Sequence, residues 1–156
     1  MFSFKGNHVY LLELEHFNTV IVEDFISSFG KTLLLLGDGI FVDAYSLKKK
    51  FGNTVYIQRV LNMYQMQKTV LEDIYEDSFS IFLVLRLSEV KDWKEGILLN
   101  ISRAMEGLSR LSGKPSLFYL VQDEEYVSLS IKNAFRYRIL EVSDKWEEIP
   151  QVLEWK

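Results

Sequence analysis

Apolar side chains along this chain follow two rhythms. Short, nearly continuous apolar runs alternate with longer stretches in which apolar positions recur every three or four residues. The runs are His8–Glu15 (HVYLLELE), Thr32–Leu36 (TLLLL), Thr54–Arg59, Phe79–Leu87 (FSIFLVLRL) and Ser116–Val121, and each predicts a strand. Phe79–Leu87 is the strongest and is predicted to be central; its one charge, Arg86, lies near its C-terminal end. Phe135–Val142 (FRYRILEV) alternates like a strand with one solvated face. Tyr126–Asn133 fits strand and helix equally, and the tail with Trp146, Ile149, Val152 and Trp155 predicts a final strand or turn.

Between the runs the spacing is helical. Asn18 or Thr19 caps a helix to about Phe29, with Ile21, Val22, Phe25, Ile26 and Phe29 on one face and Gly30 as its stop. Phe41–Phe51 predicts a helix with Phe41, Ala44, Leu47 and Phe51 inward, and with Lys48, Lys49 and Lys50 near the C-terminus, where cations suit the macrodipole. From Met63 to about Glu76, Met63, Met66, Val70, Leu71 and Ile74 form one stripe. Asp92–Leu111 is the longest helix, lined by Trp93, Ile97, Ile101, Ala104, Leu108 and Leu111 and terminated by Ser112-Gly113-Lys114-Pro115. Strands alternating with helices, several of them continuously apolar, predict an α/β domain with a largely parallel sheet. No repeat, linker or low-complexity tract divides residues 1–156, which read as one domain with 1–7 as an N-terminal interaction segment.

Composition narrows the function classes. A 26% charged content with 48% hydrophobic residues is globular rather than disordered. The net charge of −4 argues mildly against wrapping nucleic acid, although it leaves room for a local basic patch. The absence of cysteine excludes disulfides, thiolate metal sites and cysteine nucleophiles. The start, MFSFKGNHVY, lacks the form of a secretory signal, and no apolar run approaches the roughly 20 residues that span a bilayer. A soluble, cytoplasmic protein is the expectation.

In an open parallel sheet, ligands gather at the C-terminal tips of the strands. Those tips carry Glu15, His16, Asp38, Arg59, Arg86, Ser88, Gln122 and Asp123. Asp38 lies in Gly37-Asp38-Gly39, which reads first as turn chemistry and second as a general base. His16 with Glu15 and Asp38 would make a thin metal site; a partly exposed loop histidine is the plainer reading. Arg86 is placed to bridge to Asp38, Glu15 or Asp123. Lys48–Lys50 read as a solvated helix end before they read as phosphate contacts.

The stretch Thr32–Gln67 carries a resemblance. It offers Gly37-Asp38-Gly39-Ile40-Phe41, then Lys50-Phe51-Gly52, then Val55-Tyr56-Ile57-Gln58-Arg59-Val60-Leu61-Asn62 and Gln65. This order resembles the ATPase core of the RecA/RadA recombinase superfamily, particularly its small RadB-like and KaiC-like paralogues. The resemblance implies a three-layer RecA-like fold, a mostly parallel central sheet with helices on both faces. It also implies that Asp38 stands where the family has a water-activating glutamate, and that Phe79–Ser88 is the strand that normally carries a magnesium-supporting aspartate.

The departures are functional. The family's phosphate loop belongs at Glu15–Val20, which has neither the glycines nor the lysine that a phosphate cradle needs. Gly30-Lys31-Thr32 mimics the end of such a loop, but Phe25 stands where its first glycine belongs, and strand rather than helix follows. Arg86 replaces the magnesium-supporting aspartate, and a cation cannot hold that metal. The loops corresponding to the family's DNA loops are short, and the second, Gln122–Glu125, is acidic, so DNA contact is expected to be weak or indirect.

The expectation is therefore a non-catalytic RecA-like paralogue without cofactor or metal. It would act through a protein partner, a recombinase or copies of itself, as an accessory factor in DNA recombination or repair. Phe2 and Phe4, through strand addition to a neighbouring sheet, and Arg136 and Arg138, through a basic-aromatic face with Tyr137, are its interaction candidates. The degenerate site is Glu15, His16, Asp38 and Arg86, with Asp38 as a catalytic remnant. The alternative is an unconventional nucleotide-binding regulator or ATPase centred on Asp38, Arg59 and Arg86.

Overall fold

The computed structural model describes residues 7–70, 79–124, 135, 137–142 and 145–150. Its elements are β1 (Val9–Leu14), α1 (Thr19–Phe29), β2 (Thr32–Leu36), α2 (Ala44–Phe51), β3 (Val55–Arg59), α3 (Met63–Lys68), β4 (Ser80–Arg86), α4 (Leu87–Val90), α5 (Glu95–Ser112), β5 (Ser116–Val121), β6 (Tyr137–Val142) and β7 (Lys145–Pro150), with a 3₁₀ turn over Gly52–Thr54. The strands form one sheet in the order β3-β2-β4-β5-β1-β6-β7. Strands β1 to β5 are parallel throughout, β6 adds beside β1 in the same direction, and β7 returns antiparallel along β6. The protein is thus α/β with a largely parallel sheet.

Strand periodicity sorts the core into two clusters. Tyr10 and Leu12 of β1, Leu34 and Leu36 of β2, Phe82 and Val84 of β4 and Leu117 and Tyr119 of β5 pack with α1 and Leu47 of α2. The intervening residues Val9, Leu11, Leu35, Ile81, Leu83, Leu85, Phe118 and Leu120 pack with Met66 of α3 and with α4 and α5. Strands apolar at every position are what a sheet covered on two sides requires, and β5 is buried at all six. At the centre of the first cluster the Phe82 ring meets Phe25 edge-on at 5.0 Å.

The helix caps correct several expectations. Asp43 accepts hydrogen bonds from the Ser46 N–H (3.1 Å) and hydroxyl (2.7 Å), so α2 begins at Ala44 rather than Phe41. Phe41, expected inward, is 76% exposed, and it is Ile40 that is buried. Ala44 faces solvent as well. Thr54 belongs to the 3₁₀ turn rather than to β3. The long helix starts at Glu95, not Asp92, because the chain leaves β4 straight into the single turn of α4 and then bends through Trp93, whose N–H bonds the Val90 carbonyl (2.9 Å). Leu111, assigned to the inner face, is 72% exposed in the final turn. The expected stripe residues Leu71 and Ile74, and the tail residues Val152 and Trp155, lie outside the described residues.

Phe82 is fully buried between Phe25 and Tyr119, where no small side chain can fill its volume. Phe82→Ala is expected to lower stability by about 3–5 kcal/mol in urea unfolding. A loss below about 1 kcal/mol would contradict this packing.

Candidate functional site at the strand tips

The turn from β1 to α1 spans four residues, Glu15 to Asn18. Tyr119 closes it from β5: its hydroxyl donates to the His16 carbonyl (2.5 Å) and accepts from the Asn18 N–H (3.2 Å). Phe17 lies edge-on against the same phenol at 5.5 Å. The Asn18 side chain accepts from the Val20 N–H (3.0 Å), and the Asn18 carbonyl accepts from the Ile21 N–H (3.1 Å). An anion at a helix N-terminus is held by such backbone donors. Here the Asn18, Val20 and Ile21 donors are turned to the chain's own oxygens.

A second polar centre joins the tips of β2, β4 and β5. The Gly37 N–H bonds the Val84 carbonyl (2.9 Å), which carries the β2–β4 pairing one residue past β2. The turn that follows is held by two arginines. Arg59 donates to the carbonyls of Gly37 (2.9 Å) and Ile40 (2.8 Å), with its guanidinium 5.2 Å from the Phe41 ring. Arg86 Nε donates to the Asp38 carbonyl (2.9 Å), and its guanidinium lies 4.0 Å from the Asp38 carboxylate and 4.0 Å from that of Asp123. Asp123 is fixed from its other side by the N–H (2.9 Å) and hydroxyl of Ser88. Glu89 reaches back from α4 to accept the Asp38 N–H (3.0 Å).

Both glycines of the turn are required. Gly39 has φ of 77°, and a Cβ there would stand 2.5 Å from the Arg86 guanidinium carbon. At Gly37 a Cβ would stand 2.5 Å from Leu85 Cδ2 and 2.6 Å from Glu89 Oε1. Gly-Asp-Gly is thus a turn through which neighbouring side chains approach the backbone closely.

Two carboxyls here titrate away from their ordinary values. Burial pushes Glu89 up, and the nearby Asp38 and Asp123 charges add to that, against the Asp38 N–H bond and Arg86. Burial also pushes Asp123 up, but the hydrogen bonds from Ser88 and its own backbone N–H, together with Arg86, outweigh it, so that Asp123 sits below its ordinary value. The paired charges at 4.0 Å are partly solvated and worth about 1 kcal/mol or less; the guanidinium–carbonyl bonds set the geometry.

The structure brings together Asp38, Arg59, Arg86, Ser88 and Asp123. Glu15 and His16 stay apart: both are exposed, and no described hydrogen bond or ion pair joins either to Asp38 or Arg86. Gln122 turns instead to Glu13 (2.7 Å). Among the described residues, no group of three His, Cys, Asp or Glu is placed to hold a metal, and no helix is long and apolar enough to cross a membrane. Phe2, Phe4 and Arg136 lie outside the described residues; the backbone of Arg138 sits in β6 opposite Leu11. The sequence pattern does not single out Tyr119 or Glu89. Tyr119 was hidden in an apolar run that reads only as core, and Glu89 in a short acidic-basic stretch that reads as loop.

Chemically, the constellation ties three strand tips to one turn. A guanidinium does not give up its proton near neutral pH; Arg59 donates to two backbone carbonyls and Arg86 through Nε to one. Asp38 stands 69% exposed, and among the described residues no nucleophile is held against it. Compared with protein-family models and with curated proteins, the sequence matches none.

Two measurements probe this centre. Gly39→Ala is expected to cost about 1–2 kcal/mol, and distinctly less when Arg86→Ala is also present, because one of its two penalties is the contact with Arg86; equal costs in both backgrounds would contradict that contact. Asp123 has a depressed carboxyl, so its stabilisation is present above the ordinary aspartate range and is lost as pH falls through its folded value. Asp123→Asn is therefore expected to be less stable than wild type at pH 7 by about 1 kcal/mol, with the gap closing below about pH 4; a gap independent of pH would exclude the charged hydrogen bonds as its source.

Proposed function

We propose that this protein is a non-catalytic RecA-like paralogue whose parallel sheet is kept as a scaffold for protein contacts, in an accessory role in DNA recombination or repair. A three-layer arrangement is compatible with the strand order β3-β2-β4-β5-β1 and with different helices entering each of the two core clusters. The observation that carries the reading is the Tyr119 hydroxyl, bonded to the His16 carbonyl and Asn18 N–H in the turn where a phosphate loop would lie. Arg86 supports it. Where the resemblance calls for a carboxylate beside magnesium, a fixed cation holds Asp38 and Asp123 in place of a metal.

The partner in this reading is a recombinase or a further copy of the chain, with Phe2, Phe4, Arg136 and Arg138 as candidate contacts. The rival, a nucleotide-binding regulator built on Asp38, Arg59 and Arg86, would have to release both arginines from the carbonyls they bond. Calorimetric titration with magnesium–ATP separates the two. The expected result is no saturable heat up to millimolar nucleotide. Saturable binding that is lost in Asp38→Ala would overturn the proposal. Binding of purified recombinase, abolished when Phe2 and Phe4 are both changed to alanine, is the expected positive result; no association with recombinase and a monomer at high concentration would also count against it.

A further inference from the structure

Residues 44–71 contain no aspartate or glutamate, yet they carry Lys48, Lys49, Lys50, Arg59 and Lys68, in a chain whose net charge is −4. This acid-free stretch builds one border of the molecule: α2, the edge strand β3 and α3. The same border holds most of the large apolar side chains that face solvent among the described residues. Phe41 is 76% exposed, Tyr45 75%, Tyr56 46%, Leu61 59% and Tyr64 57%. Isolated exposed aromatics are ordinary, but a concentration of them on one basic border of an acidic protein is not.

Among the described residues the positive charge here meets few carboxylates. Lys48 donates to the Val55 carbonyl and lies 4.8 Å from the Tyr56 ring centre. Arg59 is held by two carbonyls and stands over Phe41. Carbonyls and ring faces orient a cation without cancelling its charge. Among the described residues only Lys50 of this group meets a carboxylate, Glu23 at 3.6 Å. Of the acids that flank the stretch, Asp43 is engaged in capping α2, and Glu72 and Asp73 lie outside the described residues. At the start of β3 the pattern continues: Tyr56 meets Phe79 edge-on at 5.0 Å, and Lys31 lies 4.8 Å from the Phe79 ring centre.

We infer that this border binds single-stranded nucleic acid, with phosphates on the lysines and unpaired bases on the exposed tyrosines. Cations interleaved with aromatic rings are the chemistry that a single strand reads, since every base has a stacking face and every linkage a charge. The competing occupant of an edge strand is another strand. Lys48 stands against it: by bonding the Val55 carbonyl it covers an acceptor of the edge strand, and a lysine on an edge obstructs strand addition. Duplex DNA keeps its bases stacked inside and would meet the charges alone. Strand β3 is five residues, roughly 16 Å, so the footprint is two or three nucleotides. The inference does not depend on the proposed function: Tyr45, Tyr64 and Lys49, on which it is tested, are exposed residues outside the hydrogen bonds of the strand tips.

The test is fluorescence anisotropy of a labelled 20-nucleotide oligothymidylate with the full chain. Saturable binding is expected at 50 mM salt, weakening about tenfold or more by 200 mM if about three phosphates are neutralised. Tyr45→Ala, Tyr64→Ala and Lys49→Glu, all at exposed positions, are each expected to weaken it several-fold while the circular dichroism spectrum is unchanged. Arg110→Glu is the charge control; it lies beside Glu106, which bonds the β1 backbone, four strands from β3. It is expected to bind like wild type. No binding at 50 mM salt would overturn the inference. So would equal weakening by Lys49→Glu and Arg110→Glu, equal affinity for duplex of the same length, or insensitivity to both tyrosine changes. Displacement of the oligonucleotide by an acidic extended peptide that protects β3 amides from hydrogen exchange would assign the border to strand addition instead.

Discussion

A parallel sheet packed on both sides has room for polar side chains only at the ends of its strands, and this molecule is organised by that constraint. Strands β2, β4 and β5 are almost wholly apolar, so every group able to do chemistry is driven to their tips. There the backbone itself must be satisfied, because strand ends leave donors and acceptors that the sheet no longer pairs. The solution is to spend side chains on that task. Tyr119 satisfies the turn after β1, while Arg59 and Arg86 satisfy the turn after β2. The tips are consequently stable and occupied. Backbone groups of these turns that could have met a ligand are already meeting the protein.

Arg86 shows how one residue settles several questions together. It is the last residue of β4, the middle one of the strands β3-β2-β4-β5-β1, and it joins the Asp38 turn to the Asp123 loop across the tip of β4. Its guanidinium also fills the space that makes Gly39 obligatory. Glu89, one turn further along, holds the Asp38 N–H, and its raised carboxyl has a sign opposite to that of Asp123: its contribution is fullest at low pH and falls as pH rises through its shifted value. The centre therefore balances three carboxyls, those of Asp38, Glu89 and Asp123, against the permanent cation of Arg86.

Much of the architecture was legible in the sequence because strand length and burial leave a direct signature. Ser116–Val121 and Thr32–Leu36 were bounded to the residue, since an uninterrupted apolar run flanked by Gly or Pro admits few other readings. Helix starts were less legible. Phe41 fits the helical period of Leu47, but the Asp43 cap decides where α2 begins and leaves Phe41 outside it. At the site, the Arg86 bridge could be posed from its position at a strand end. The role of Tyr119 could not, because a tyrosine inside an apolar run gives no sign of where its hydroxyl will emerge. The concentration of exposed rings around β3 was equally hidden, since edge position is a property of strand order and not of any one segment.

The central claim is that the strand tips are closed by the protein's own hydrogen bonds. Amide NMR spectra recorded while magnesium–ATP is added test it most directly, residue by residue. The account predicts that the amides of Asn18, Gly37, Asp38 and Gly39 keep their positions throughout. Saturable shifts confined to those amides, with the Asn18 signal leaving the environment set by Tyr119, would contradict it.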